Sequence, residues 1–206
     1  MKTQKIKAII FDLGGVIVHG GYLDFINNYC AECLTPLGKQ KILELEHLVN
    51  LGRITEKQFY QKIQKTLHVF LNEKQMHNII VKKMKANKSL QKFIPTLKPA
   101  KTALFTNSIG HMAAEVLKAR RYPVKKVFDK VFYSNVIHLA KPEIKAFDYV
   151  VKKLKVKPEE ALMVDDRAGN IEQAKLAGLN GIVYKNLTRF KKDLNNYQLI
   201  HNNDRQ

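Results

Sequence analysis

A chain of 206 residues, 45% of them apolar, has the size and composition of one globular domain with room for an insertion. No apolar run approaches the ~18 residues of a membrane span. The N-terminal run Ala8–Phe11 is too short and too quickly followed by Asp12 for a signal peptide, so a cytoplasmic protein with no membrane partner is expected. The formal charge of +18 sits mostly in residues 71–160, with 20 Lys/Arg against 7 Asp/Glu. Such a balance attracts anionic partners. The plainer reading is a lysine-rich composition, since Asn and Ile are abundant too. Few aromatics interleave with the lysines, so a nucleic-acid partner is not favoured.

Ala8–Phe11 is a short apolar run ending on Asp12 and the glycines Gly14 and Gly15. It reads as a buried strand with a carboxylate at its carboxyl end. Helical periodicity follows over Tyr22–Glu32, Gln40–Leu51, a stretch capped by Thr55, Glu73–Met84 and Ser89–Leu97. That is too much helix for a simple crossover and predicts an inserted helical cap. Cys30 and Cys33, in what reads as helix, have the spacing of a redox or metal pair. With no second pair nearby, they read as two ordinary thiols in a reducing compartment.

Strand signals return at Thr102–Ser108, Lys130–Tyr133, Ala161–Val164 and Gly181–Tyr184. They alternate with helices at Met112–Arg120, Ile144–Leu154 and Asn170–Ala177. Alternating strands and helices argue an α/β fold, a Rossmann-like parallel sheet covered on both faces in three layers. The expected division is a core of residues 1–18 and 96–206 and a helical cap of residues 19–95. The polar tail from Asn195 is expected to fray.

Four polar signals each follow a strand: Asp12, Thr106-Asn107, Lys141 and Asp165-Asp166. Parallel strands point one way, so these ends converge on one edge, where open α/β sheets bind ligands. Three carboxylates at one spot repel unless a cation neutralises them. Oxygen donors suit Mg²⁺, which takes one or two carboxylates together with substrate phosphate. Asp12 can then serve as nucleophile through an aspartyl-phosphate, with Lys141 and Thr106 on the phosphoryl oxygens.

Phe11-Asp12-Leu13-Gly14-Gly15-Val16, Phe105-Thr106-Asn107-Ser108, Lys141-Pro142-Glu143 and Val164-Asp165-Asp166-Arg167-Ala168-Gly169-Asn170 resemble, in order and spacing, the four motifs of the haloacid dehalogenase-like hydrolase superfamily. The resemblance runs from about Lys5 to Tyr184. Its nearest branch is the small sugar-phosphate phosphatases of the glucose-1-phosphate kind. These share the Phe-Asp-Leu-Gly start, a turn like Gly52–Thr55 and an Asn-Ile pair after the paired aspartates. The resemblance implies Asp12 as nucleophile and metal ligand, and Gly14 as a backbone-carbonyl metal ligand. It implies Thr106 and Asn107 as phosphate-binding residues and Lys141 as the residue that steadies nucleophile and phosphoryl charge. Asp166 matches the direct Mg²⁺ ligand, and Asp165 the acid that acts through water. Asn170 falls where some members carry another acid.

One departure stands out. Most phosphatases of this superfamily carry an aspartate two residues after the nucleophile, as acid and base; here that position is Gly14. Such help is worth about 10²–10⁴-fold. Its absence suits sugar 1-phosphates, whose leaving oxygen needs less protonation, and disfavours a phosphomutase. The Asp pair disfavours a dehalogenase. The expectation is a Mg²⁺-dependent phosphatase acting on a small phosphorylated substrate. Its rivals are a catalytically weak binding or regulatory protein and a nucleic-acid-associated phosphatase. His19, at the hinge into the cap, is read as an exposed residue, with proton donation as the alternative. Arg120 and Arg121 are read as a solvated helix end.

Overall fold

The computed structural model describes residues 4–29, 35–66 and 68–199. Cys30 and Cys33 lie outside the described residues. Five parallel strands form the central sheet in the order β6-β5-β2-β7-β8, where β2 is Ala8–Phe11, β5 Lys101–Thr106, β6 Lys130–Tyr133, β7 Ala161–Asp165 and β8 Asn180–Val183. β2 is central, paired with β5 through Ala8↔Lys101 and with β7 through Ala8↔Ala161. All four of its side chains are buried, which is why its sequence is a continuous apolar run and not an alternating one.

Successive residues feed opposite faces of the sheet. Ile9, Phe11, Leu104, Leu162 and Val164 join one apolar cluster, and Ala8, Ile10, Ala103, Phe105 and Met163 join another. The second cluster is closed by α9 (Ile144–Leu154) and α10 (Ala168–Leu176), through Phe147, Val150, Val151, Ile171 and Ala174. The first is closed by α6 (Met112–Ala119) and α11 (Leu187–Leu194), through Val116, Leu117 and Phe190. Three layers result, as the alternation of strand and helix signals predicts. The tail differs from the expectation. Tyr197–Leu199 (β9) pairs in parallel with Gln4–Ile6 (β1), which satisfies a backbone stretch that composition alone assigns to solvent.

Between β2 and β5 lie the helices α1 (Tyr22–Tyr29), α2 (Pro36–Asn50), α3 (Glu56–Thr66) and α4 (Glu73–Lys83). Local chemistry starts three of them. Thr35 Oγ1 accepts from Gly38 N–H at the head of α2, with Pro36 in the first turn. Thr55 and Gln58 exchange side-chain-to-backbone bonds at α3, and Asn72 and Gln75 do the same at α4. The apolar sides of these helices, including Ile42, Phe59, Ile63, Met76 and Ile80, are continuous with the first sheet-face cluster.

The segment is entered and left through two short strands that pair with each other. β3 (Val18–His19) runs antiparallel to β4 (Lys85–Ala86), with His19 opposite Lys85. Two-residue strands leave no periodicity, so the sequence shows only helix here. Just past β4, Asn87 is buried. Its Nδ2 donates to Val16 O (2.7 Å) and to the Tyr184 hydroxyl (2.8 Å), and its Oδ1 accepts from Leu90 N–H at the start of α5 (Lys88–Phe93). Phe93 then meets Phe190 edge-on at 6.2 Å.

Arg120 departs from the expectation of a solvated helix end. Its Nε donates to Met84 O (2.8 Å) and its Nη2 to Val81 O (2.8 Å), so it caps the last carbonyls of α4 across the helical segment. Periodicity on its own helix cannot reveal a partner thirty-six residues earlier in the chain. His77 of α4 makes a second crossing, with Nδ1 at 2.6 Å from Glu56 Oε1 and Nε2 at 2.7 Å from Glu115 Oε2 on α6.

Asn87 ties Val16, ahead of β3, and Tyr184, just past β8, through one buried amide. Replacing it with Ala orphans Val16 O and removes the cap of α5. Asn87→Ala is expected to destabilise the protein by about 2–3 kcal/mol, read as a lower urea midpoint at unchanged m-value.

Candidate active site

The four strand-end signals meet. Asp12 follows β2 directly and its N–H donates to Val164 O of β7 (2.9 Å), which draws it toward Asp165 at the end of that strand. Lys141 arrives on the loop after α8 (Ser134–Ile137), and its ammonium lies between the two carboxylates. Nζ is 2.7 Å from Asp12 Oδ1 and 2.6 Å from Asp165 Oδ2. All three side chains are buried, Asp165 completely. Asp166 is less enclosed and lines the cavity above them. One oxygen from each of the three aspartates lies within 4.8 Å of the others.

Each remaining motif residue has a place around this triad. Asn170, in the first turn of α10, donates to both Asp165 oxygens at 3.0 Å, and Arg167 N–H donates to Oδ1 at 2.9 Å. Asp165 is therefore saturated with donors, and a neutral amide at position 170 supplies one where another acid would add repulsion. Asn107 spans the gap from β5. Its Nδ2 donates to Lys141 O (2.8 Å) and its Oδ1 accepts from Lys141 N–H (3.0 Å). The side chain of Asn107 thus positions Lys141. Thr106, also buried, donates from Oγ1 to Asn107 O at 3.1 Å and lines the same cavity.

Sequence reasoning passed over the specific reason for Gly15. It sits at φ +70°, and a Cβ there would run into the Asp166 carboxylate. Only glycine gives that backbone and that approach without strain. Gly14 is different, since the nearest atom to an added Cβ is Asp12 Oδ2 at 4.0 Å. His19 is exposed in β3 and is not among the residues lining the cavity.

The electrostatics follow from one ammonium serving three carboxylates. Burial alone would lower the Lys141 pKa, but Asp12 and Asp165 outweigh it and hold the ammonium above its ordinary value. Burial would raise Asp165, yet Lys141 and the hydrogen bonds bring it below the usual carboxylate range. Asp12 goes the other way. Burial pushes it up to about 6, with Lys141 pulling down and Asp165 pushing further up. Burial and the Asp165 charge also raise Asp166. The cluster carries more negative charge than its one buried cation neutralises, and its unsatisfied donors are hard oxygens. That set fits a divalent metal ion with oxygen preference.

The cavity holds about 330 Å³ and reaches from the triad to α2. Glu46 of α2 lines it together with Arg167 and Met84. Its Oε1 is fully buried with no hydrogen-bond partner. Burial pushes this carboxyl up to about 7, with Arg167 pulling it part of the way back. Sequence reasoning missed Glu46, because a lone Glu inside an amphipathic helix carries no motif.

Two measurements test this electrostatic account. Asp165→Ala leaves Lys141 buried with one acid and Asn170 without an acceptor, and should cost about 3–5 kcal/mol of stability by urea unfolding. Glu46 is held protonated in the folded state at pH values where the unfolded chain has lost that proton. Between about pH 4.5 and 7 the native state binds more protons, so metal-free stability falls as pH rises through that window. Glu46→Gln should remove roughly 2 kcal/mol of that fall between pH 5 and pH 8.

The comparisons agree with the geometry. The fold is similar to that of a HAD family enzyme of Bacteroides thetaiotaomicron, with TM-score 0.73 and 20% identity over 88% of this chain and 94% of that one. That enzyme has also been crystallised in complex with magnesium and inorganic phosphate, and in that form matches with TM-score 0.66 and 22% identity over 87% and 94% of the two chains. A HAD-like family hydrolase of Porphyromonas gingivalis matches with TM-score 0.71 and 23% identity over 92% and 98%. The L-2-haloacid dehalogenase of Xanthobacter autotrophicus matches with TM-score 0.63 and 18% identity over 92% and 82%. No curated protein matches the chain. The family model for haloacid dehalogenase-like hydrolases matches residues 6–178, which include all four strand-end motifs, and the chain belongs to that family.

Proposed function

We propose that the protein is a Mg²⁺-dependent phosphatase that hydrolyses a small phosphate monoester through an aspartyl-phosphate on Asp12. The observation that carries this reading is the placement of Asp12, Lys141 and Asp165 in one buried ion-paired array with Asp166 at its mouth. The likeness to an enzyme crystallised with magnesium and inorganic phosphate supports it.

Asp12, Asp166 and the Gly14 carbonyl are the groups that would hold the ion, with Asp165 behind them. The ion, when bound, neutralises the carboxylates and the charge of the incoming phosphoryl group. The protein supplies the rest. Lys141 holds Asp12 at Oδ1, keeps the nucleophile oriented and adds positive charge beside the transferring group. Asn107 fixes the backbone of Lys141, and Thr106, which lines the cavity, would meet a phosphoryl oxygen. Asp165, saturated with donors, serves as the counter-charge that keeps Lys141 ionised and in place.

The helices Tyr22–Lys83 act as a cap in this reading. They enter through β3 and leave through β4, which pairs with it. A cavity of about 330 Å³ between cap and core suits a metabolite-sized ester, a sugar phosphate among them.

The expected result is release of inorganic phosphate from small phosphate esters with Mg²⁺ present and none with EDTA. Asp12→Asn should lower kcat/KM by roughly 10³-fold or more. Turnover that persists in EDTA, or in Asp12→Asn, would overturn the reading.

A further inference from the structure

The reaction proposed above needs a proton at the leaving oxygen, and position 14, where related phosphatases carry the acid, is glycine. The groups lining the cavity narrow the choice. Asp12 is the proposed nucleophile, Asp166 belongs to the metal-binding set, and Lys141 is locked between Asp12 and Asp165. Arg167 does not release a proton at working pH. Among the described residues lining the cavity, Glu46 is the one remaining carboxyl. It comes from α2, on the helical segment that covers the triad.

Resting on the phosphatase reading, we infer that Glu46 is the catalytic acid and base, donating its proton to the leaving oxygen from the cap side of the cavity in place of the acid missing at position 14. The geometry suits that role. Glu46 Oε1 is shut away from solvent with no hydrogen-bond donor on it, which favours the neutral acid. Its charge environment agrees. Arg167, on the loop between β7 and α10, is the cation acting on it, while the acids that share its cavity are Asp12 and Asp166. The resulting value of about 7 leaves the proton available at neutral pH yet easily given up.

The step balances. A carboxylate oxygen of Asp12 bonds to phosphorus as the bond from phosphorus to the ester oxygen breaks. The electron pair of that bond stays on the departing oxygen, which takes the Glu46 proton and leaves as an alcohol. In the second step water attacks phosphorus and Glu46, now a carboxylate, accepts its proton. The bond from phosphorus to Asp12 breaks, inorganic phosphate leaves, and Asp12 and Glu46 return to their starting forms.

The test compares two esters of similar shape in the Mg²⁺-loaded protein: phenyl phosphate, whose leaving group needs a proton, and 2,4-dinitrophenyl phosphate, whose leaving group does not. Glu46→Gln should lower kcat/KM, which reports the transfer to Asp12 alone, by about 10²-fold or more on phenyl phosphate and by less than about 3-fold on the dinitrophenyl ester. The basic limb of the wild-type pH profile of kcat/KM on phenyl phosphate, near 7, should vanish in the variant. Binding of inorganic phosphate, followed by calorimetry, should be unchanged and shows that the cavity is intact. An equal loss of kcat/KM on both esters, no loss on either, or a basic limb retained in Glu46→Gln would overturn the assignment while leaving the phosphatase reading standing. A wild-type protein that cleaves neither ester would overturn both.

Discussion

The site depends on one buried ammonium shared by two carboxylates. Lys141 alone cannot stay charged at that depth, and neither can Asp12 or Asp165. Together they do, because Asp165 is relieved by Asn170 and the Arg167 N–H, and Lys141 is held by Asn107 at both its main-chain N–H and C=O. Asymmetry between the acids follows. Asp165 collects four donor contacts and is held below the ordinary carboxylate range, whereas Asp12 keeps one ammonium contact and is pushed above it. One acid becomes a fixed counter-charge. The other is left under-compensated, which is the state in which a carboxylate gains most from a metal ion and an incoming phosphoryl group.

The fold exists to bring these ends together. Parallel pairing of β2 with β5 and β7 places the residues after Phe11, Leu104 and Val164 at one level. Bulky side chains alternate between the two faces beneath that level, so a slip of one residue would turn Asp12 into the apolar layer. Gly15 completes the arrangement from the other side, because its φ of +70° and missing Cβ leave room for the Asp166 carboxylate.

Much of this was legible in the sequence, and the reason is local. A buried parallel strand must be apolar throughout and must end, so Asp12, Thr106 and Asp165 stand out as the first polar residues after such runs. Helices with side-chain caps announce themselves in the same way at Thr55. Other features were hidden because their meaning lies in a distant partner. Arg120 reads as a solvated helix end in the sequence, and only the fold sets the carbonyls of α4 against it. The polar tail gave no sign of its pairing with Gln4–Ile6. Asn107 sits in a phosphate-binding type of motif, and that motif does not reveal that its side chain holds the backbone of Lys141. Glu46 had no motif, and its character comes wholly from burial in a cavity that two separate segments build.

Placing the acid on the helical segment has a mechanical consequence. A proton donor beside the nucleophile on β2 would be present whether or not the segment were closed. One carried by α2 stands over Asp12 only while the helices rest on the core. His77 bridging Glu56 to Glu115, Arg120 holding the end of α4 and His138 against Leu51 O at the end of α2 are among the contacts that hold them there. On the proposed assignment, leaving-group protonation and exclusion of water become one event. An ester whose non-phosphate part lets α2 settle would be cleaved, and one that props it open would bind its phosphate yet lack the proton. Specificity would then appear in kcat as much as in KM, since the contact that recognises the substrate body also brings in the acid.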